Sequence, residues 1–189
     1  MAEGMTVLGV VLAGTVAGWT AWRLRRGFDA REHLPLDLCN LSALLSLAYV
    51  LTGSAPLAVW MVCFAAPGGL VSMAAPDLDE RHGPSTRAKF WIVHPGLVAF
   101  GVATALRVPP PPHGGQVLVQ LWLLLAAYAA AVALVDFRLG ANYLFLRHKP
   151  ATRSPLDRMG PWPFYLFPLT AIIVATMILV FLGWSGMWR

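Results

Sequence analysis

The chain has 189 residues, of which 58% are hydrophobic and only 12% charged, with a mean hydropathy of +0.64. Soluble domains carry about 25% charged residues, so this composition excludes a water-soluble enzyme, a disordered chain and a coiled coil. Two cysteines, Cys39 and Cys63, exclude a disulfide framework and a Cys-rich metal site.

Six apolar segments follow one another, each near the roughly 20 residues a spanning helix needs. They run over Met5–Trp22, Leu36–Thr52, Pro56–Ala75, Lys89–Leu106, Gln116–Phe137 and Tyr165–Trp184. The runs are continuous, without the alternation of barrel strands, so the fold class expected is an all-α membrane protein, a six-transmembrane-helix bundle forming a single domain over 1–189. The first segment lacks the basic start of a signal peptide and is followed by Arg23, Arg25, Arg26 and Arg31, the pattern of an uncleaved helix. Its small-residue face, Gly9, Ala13, Gly14, Ala17 and Gly18, suits close helix packing and permits a homo-oligomer.

Charge placement sets an orientation. The first, third and fifth loops with their helix edges hold Arg23, Arg25, Arg26, Arg31, Arg81, Arg87, Lys89, Arg138, Arg147, Lys149, Arg153 and Arg158, twelve of the fourteen basic residues. Arg107 and Arg189 alone fall on the other side. Positive-inside bias therefore predicts three cytoplasmic loops, both termini outside, and a long cytoplasmic loop between the fifth and sixth helices, in a bacterial-type cytoplasmic membrane. The net charge of +5 is accounted for by topology. Nucleic-acid binding, which needs a basic face on a soluble module, is not expected.

Polar residues within membrane segments are costly and each asks for a reason. The second segment opens Leu34-Pro35-Leu36-Asp37-Leu38-Cys39-Asn40-Leu41-Ser42; the third ends Ala75-Pro76-Asp77-Leu78; the fourth reads Phe90-Trp91-Ile92-Val93-His94-Pro95-Gly96; the fifth ends at Asp136, followed by Asn142 and Tyr143. At 1.5 Å per residue, Cys39 lies about 5 Å and His94 about 7 Å past the cytoplasmic starts of their segments. The spacing thus predicts one polar layer, from four helices, just inside the cytoplasmic interface. Pro95 and the run Pro67-Gly68-Gly69 predict local breaks in the helical backbone.

Within that layer Cys39 and His94 form a candidate nucleophile and base, because an imidazole beside a thiol can take its proton. Asp77 or Asn40 is the candidate third group that orients the ring. Cys63, near mid-membrane with no histidine at its level, reads as packing. The five histidines, His33, His82, His94, His113 and His148, show no close ligand spacing, so neither a metal nor another cofactor is expected. In the long loop the basic residues, Lys149 among them, suit lipid phosphates. Trp162 and Tyr165 there suit the headgroup belt.

These residues together resemble the transmembrane protein 164 family, whose bacterial branch holds the YwaF-type integral membrane proteins. The resemblance is carried by Leu34-Pro35-Leu36-Asp37-Leu38-Cys39-Asn40, Pro76-Asp77-Leu78, His94 after an aromatic pair, Asn142-Tyr143, Ser154-Pro155-Leu156-Asp157 and Gly160-Pro161-Trp162-Pro163-Phe164-Tyr165. It implies a phospholipid acyltransferase with Cys39 as acyl acceptor and His94 as base. One departure stands out: Asp37 occupies the position, two residues before the cysteine, where the family often has histidine.

The sequence therefore leads to an expected lipid acyltransferase acting on membrane lipids, with Cys39, His94 and Asp77 catalytic and Asn40, Asn142, Tyr143, Lys149 and Trp162 contacting substrate. Asn40 or Asn142 would donate to the oxyanion. Two rivals stay open, a small-solute binding or transport subunit with the polar layer as its solute site, and a structural subunit in which that layer is hydrogen-bonded glue.

Overall fold

The computed structural model describes residues 3–80 and 82–189; Arg81, counted above among the loop charges, lies outside the described residues. The fold is all-helical, with no strand among the described residues. Six helices follow in order: α1 (Glu3–Arg26), α2 (Leu38–Thr52), α3 (Ala55–Ala74), α4 (Pro84–Arg107), α5 (Gly114–Leu139) and α6 (Leu166–Met187).

Five of the six are long and apolar enough to cross a bilayer. The exception is α2, with 15 residues. At 1.5 Å per residue it spans about 22 Å, short of a hydrocarbon core of about 30 Å. Its ends explain the shortfall. Asp37, in extended backbone, occupies its N-cap, and Gly53 in the left-handed region (φ 62°) closes it, donating its N–H to Tyr49 O at 2.8 Å. The sequence expectation of six full spans is therefore supported for five.

Two expected breaks resolve differently. Pro95 sits inside α4, which continues unbroken past it. In α3 the disturbance falls ahead of Pro67, as a wide π-helical turn over Met61–Ala65, with Ala66 N donating to Met61 O. Pro67 has no N–H to offer the preceding turn, and widening that turn re-pairs the backbone without ending the helix.

The core forms around α3, whose π turn is buried through Met61, Val62, Cys63 and Ala65. Against it pack Val59, Trp60, Leu97, Phe100 and Leu12, all essentially inaccessible. Close approach is set by glycine at one crossing. A Cβ on Gly101 of α4 would stand 2.4 Å from Met61 O and 2.6 Å from the Ala66 methyl. On α1 the small residues divide: Gly9 abuts Val50 and the Ser46 carbonyl of α2, whereas nothing lies within 4 Å of a Cβ on Gly14 or Gly18. Peripheral α6 is only 6% buried along its apolar window. The Trp184 indole fastens it to α4, donating to Val108 O at 3.0 Å.

The three loops 27–37, 75–83 and 140–165 meet at one end of the bundle. Tyr143 OH accepts from Leu34 N and donates to Ala30 O, both at 2.9 Å. Tyr128 OH donates to Leu36 O at 2.7 Å. Thr152 joins the long loop to Asp77 through its hydroxyl at 2.9 Å and its N–H at 3.3 Å. The expected gathering of the odd loops is thus realised by direct hydrogen bonds among them.

Candidate active site

Cys39 is the second residue of α2, so its thiol sits against the positive end of the helix dipole. It opens on a hollow of about 50 Å³ lined by Leu38, Ser42, Trp60, Phe64, Gly68 and Leu97 with their neighbours. The Ser42 hydroxyl lines this otherwise apolar space, and Ser72 approaches the thiol itself. Ser72 Oγ lies 3.9 Å from the sulfur, and Ser42 Oγ accepts from Trp60 Nε1 at 2.9 Å.

His94 lies one turn before Leu97 on α4 and is buried. Helix α3 runs past both His94 and Cys39. Gly68 lines the cysteine hollow, while the Cβ position of Gly69 comes within 2.8 Å of His94 O. The imidazole Nδ1 lies 2.9 Å from Phe90 O. A carbonyl can only accept, so the proton is on Nδ1 and Nε2 carries the free lone pair. The Phe90 ring lies over the imidazole, with centroids 4.0 Å apart. The group that fixes the tautomer is therefore a backbone carbonyl one turn back. No hydrogen bond joins Cys39 to His94 among the described residues, and His94 is not among the residues that line the hollow at Cys39.

The other predicted site residues divide into two sets. Asn40, buried beside Cys39, accepts from Lys89 Nζ through Oδ1 at 3.4 Å. Asp77, Asn142, Tyr143, Lys149 and Trp162 belong to the loop assembly above the helices. Asp77 is taken up by Thr152. Asn142 Oδ1 accepts the N–H groups of Arg147 and His148 at 3.0 Å, and Nδ2 donates to His148 O at 2.8 Å. Lys149 Nζ donates to Asp157 O at 3.4 Å and stands over the Tyr165 ring. Trp162 Nε1 donates to Leu146 O at 2.9 Å. These polar groups are held largely by their own loop.

That loop is over-determined for a reason. Leu144 and Phe145 both adopt left-handed backbone, at φ 58° and 54°, which costs a non-glycine residue about 1–2 kcal/mol. Asp37 Oδ1 accepts from Leu144 N at 3.3 Å, and Tyr165 OH donates to Phe145 O, so both strained residues are tied down. Below them Asp136 is wholly buried and accepts from Tyr143 N at 3.0 Å, and Arg147 caps the end of α5 through Ala141 O at 3.1 Å. Burial of the Tyr143 phenol pushes its ionisation well above the usual range, so the hydroxyl is neutral and donates at any physiological pH.

Sequence reasoning missed Ser72, Thr152 and Trp19. The first two are single hydroxyls in apolar or loop sequence and carry no local pattern. Trp19 was legible as one turn before Arg23, but only the fold brings Lys89 onto its ring, 3.8 Å from the centroid.

Long apolar helices with few charges, closed at one end by a hydrogen-bonded polar plug, define an integral membrane protein. A family model described as "TMEM164 family" matches residues 2–181, and the chain belongs to that family. No curated protein and no solved structure matches the chain.

Proposed function

We propose that this membrane protein transfers acyl groups between lipids, with Cys39 as the acyl acceptor and His94 as the base. The observation that carries the reading is the apolar hollow on which Cys39 opens, with the Ser72 hydroxyl 3.9 Å from the sulfur; His94 on α4 supports it with an imidazole whose Nε2 lone pair is free. In the first half-reaction the Cys39 sulfur attacks the carbonyl carbon of a lipid ester. The thiol proton passes to His94 Nε2 and then to the departing alkoxide, leaving a Cys39 thioester and a free alcohol. In the second, the hydroxyl of an acceptor lipid gives its proton to His94 Nε2 and attacks the thioester, and the thiol is restored. The tetrahedral oxyanion needs a donor, and the Ser72 hydroxyl, 3.9 Å from the sulfur, is the candidate.

A hollow of about 50 Å³ takes the reacting carbonyl and little more, so the acyl chain lies in the surrounding bilayer. Asp77 and the long-loop residues act as positioning residues, since their side chains bind the loop that covers the helix ends. By the charge bias the plugged end faces the cytoplasm and both termini the outside, and the substrates are lipids of the inner leaflet. The test is acyl exchange by the purified protein in lipid nanodiscs. Cys39→Ser abolishes exchange while Cys63→Ser preserves it; full exchange by Cys39→Ser removes the mechanism.

A further inference from the structure

At the plugged end, α1, the 27–37 loop and α4 bring together a set of donors that the acyl-transfer reading does not use. Lys89 Nζ stands 3.8 Å from the centroid of the Trp19 ring, and Arg23 Cζ stands 5.3 Å from the same centroid. The two cations are therefore no farther apart than those two legs laid end to end. Neither has an ion pair among the described residues, although like charges at this range repel. The nearby carboxylates are otherwise placed. Asp29 accepts from Arg31 N, Asp37 from Leu144 N, and Glu32 is exposed.

The same cluster contains buried donors without acceptors. Trp19 Nε1 and Arg23 Nε are inaccessible and have no hydrogen-bond partner among the described residues. Burying such a group without a partner costs its full desolvation penalty. His33, whose ring packs edge-on to Trp19, accepts the Asp29 N–H at Nδ1 and so presents its own N–H at Nε2. The local inventory is two positive charges without an ion pair, of which Lys89 feels the Asp37 carboxylate only at longer range, and several N–H groups, against a single hydrogen-bond acceptor, Asn40 Oδ1 on Lys89.

We propose that Trp19, Arg23, His33 and Lys89 form a binding site for a phosphate group. A tetrahedral dianion or diester supplies the acceptors and the negative charge the cluster lacks, and a guanidinium with an indole N–H is a suitable donor set for it. The site adjoins the thiol through Lys89–Asn40–Cys39. If the acyl-transfer reading holds, on which this role rests, the site anchors the headgroup phosphate of the lipid whose ester reaches Cys39. Arg147 and Lys149 of the long loop are engaged by backbone carbonyls and rings beside them and are not needed for that task.

The experiment uses the full chain, ¹⁵N-indole labelled, in an uncharged detergent. Short-chain phosphatidic acid and inorganic phosphate are titrated separately, with the matching diacylglycerol as a phosphate-free control, and Trp19→Phe assigns the Trp19 resonance. Saturable movement of the Trp19 N–H is expected with phosphatidic acid and none with diacylglycerol. Arg23→Gln or Lys89→Gln raises the dissociation constant by at least about tenfold. Lys89→Arg retains binding, and Arg25→Gln, an exposed cation on the same helix, leaves it unchanged. Response to the lipid alone assigns a headgroup site, and response to both ligands assigns a site for phosphate from either source. No saturable shift with either ligand, an equal shift with diacylglycerol, or equal weakening by Arg25→Gln overturns the proposal. Cys39→Ser binds phosphatidic acid normally, so loss of acylation and loss of the phosphate site are read independently.

Discussion

Replacing Tyr143 by Phe isolates what holds the loop plug to the helix bundle. The ring is buried at 4% exposure and stays, so packing is conserved and only the hydroxyl goes. That oxygen closes two long-range hydrogen bonds at 2.9 Å, from Leu34 N and to Ala30 O, across 109 and 113 residues of chain. Both partners are partly buried, so each loss is placed at the low end for an unsatisfied backbone group, about 1 kcal/mol, and the pair at about 2 kcal/mol. For a chain of this size that corresponds to a fall in Tm of about 4–8 °C. Thermal unfolding in detergent reads the total, and hydrogen exchange locates it, with faster exchange expected at Leu34 and at Tyr143–Leu146. An unchanged Tm together with unchanged exchange at Leu34 would refute the claim that this hydroxyl joins the first loop to the long one.

Other consequences follow from the same geometry. Gly101→Ala drives a methyl into Met61 O, on the π turn, and the Ala66 methyl just after it, and is expected to lose about 1–3 kcal/mol of stability, whereas Gly115→Ala, with nothing within 4 Å, is neutral or slightly stabilising in the same melt. Burial, and then the positive charge of Arg23, hold His33 below its ordinary value of 6.5. The unfolded chain therefore binds the proton first, so stability present above about pH 6.5 declines as pH falls from there toward the lowered folded value. Melts across pH 5–8 should show this slope in the wild type and a flatter one in His33→Gln. Asn142→Ala removes the acceptor of two N–H groups and a donor to His148 O, and is expected to speed limited proteolysis within 142–149 without changing the cleavage pattern of the helices.

Much of this architecture is legible in the sequence because a bilayer makes one demand that composition alone can express. Continuous apolar runs mark the helices, and the clustering of arginine and lysine in alternate loops groups 27–37, 75–83 and 140–165, which the structure joins at one end. The length of α2 is harder to read. Its apolar run, Leu36–Thr52, ends where the helix ends, but the Asp37 cap moves the start to Leu38 and leaves 15 residues. The behaviour of proline was also not local. Pro95 is tolerated inside α4, while the disturbance near Pro67 is displaced upstream into the π turn. For the site, the segment starts group Cys39 with His94 in the sequence, yet the partners that each residue meets are not readable there. Which group holds the imidazole was open between Asp77 and Asn40, and a backbone carbonyl, available at every turn of every helix, does so. Asp77 instead meets Thr152, a pairing across 75 residues that no spacing rule expresses.

The most direct test of the account is intact and peptide mass spectrometry of the protein purified from membranes under mildly acidic conditions that preserve thioesters. The account predicts a fraction of the chain carrying one fatty-acyl mass on Cys39, released by neutral hydroxylamine, absent from Cys39→Ser and kept in Cys63→Ser. A free Cys39 thiol in every preparation, even after incubation with phospholipid and with the second substrate withheld, would contradict it.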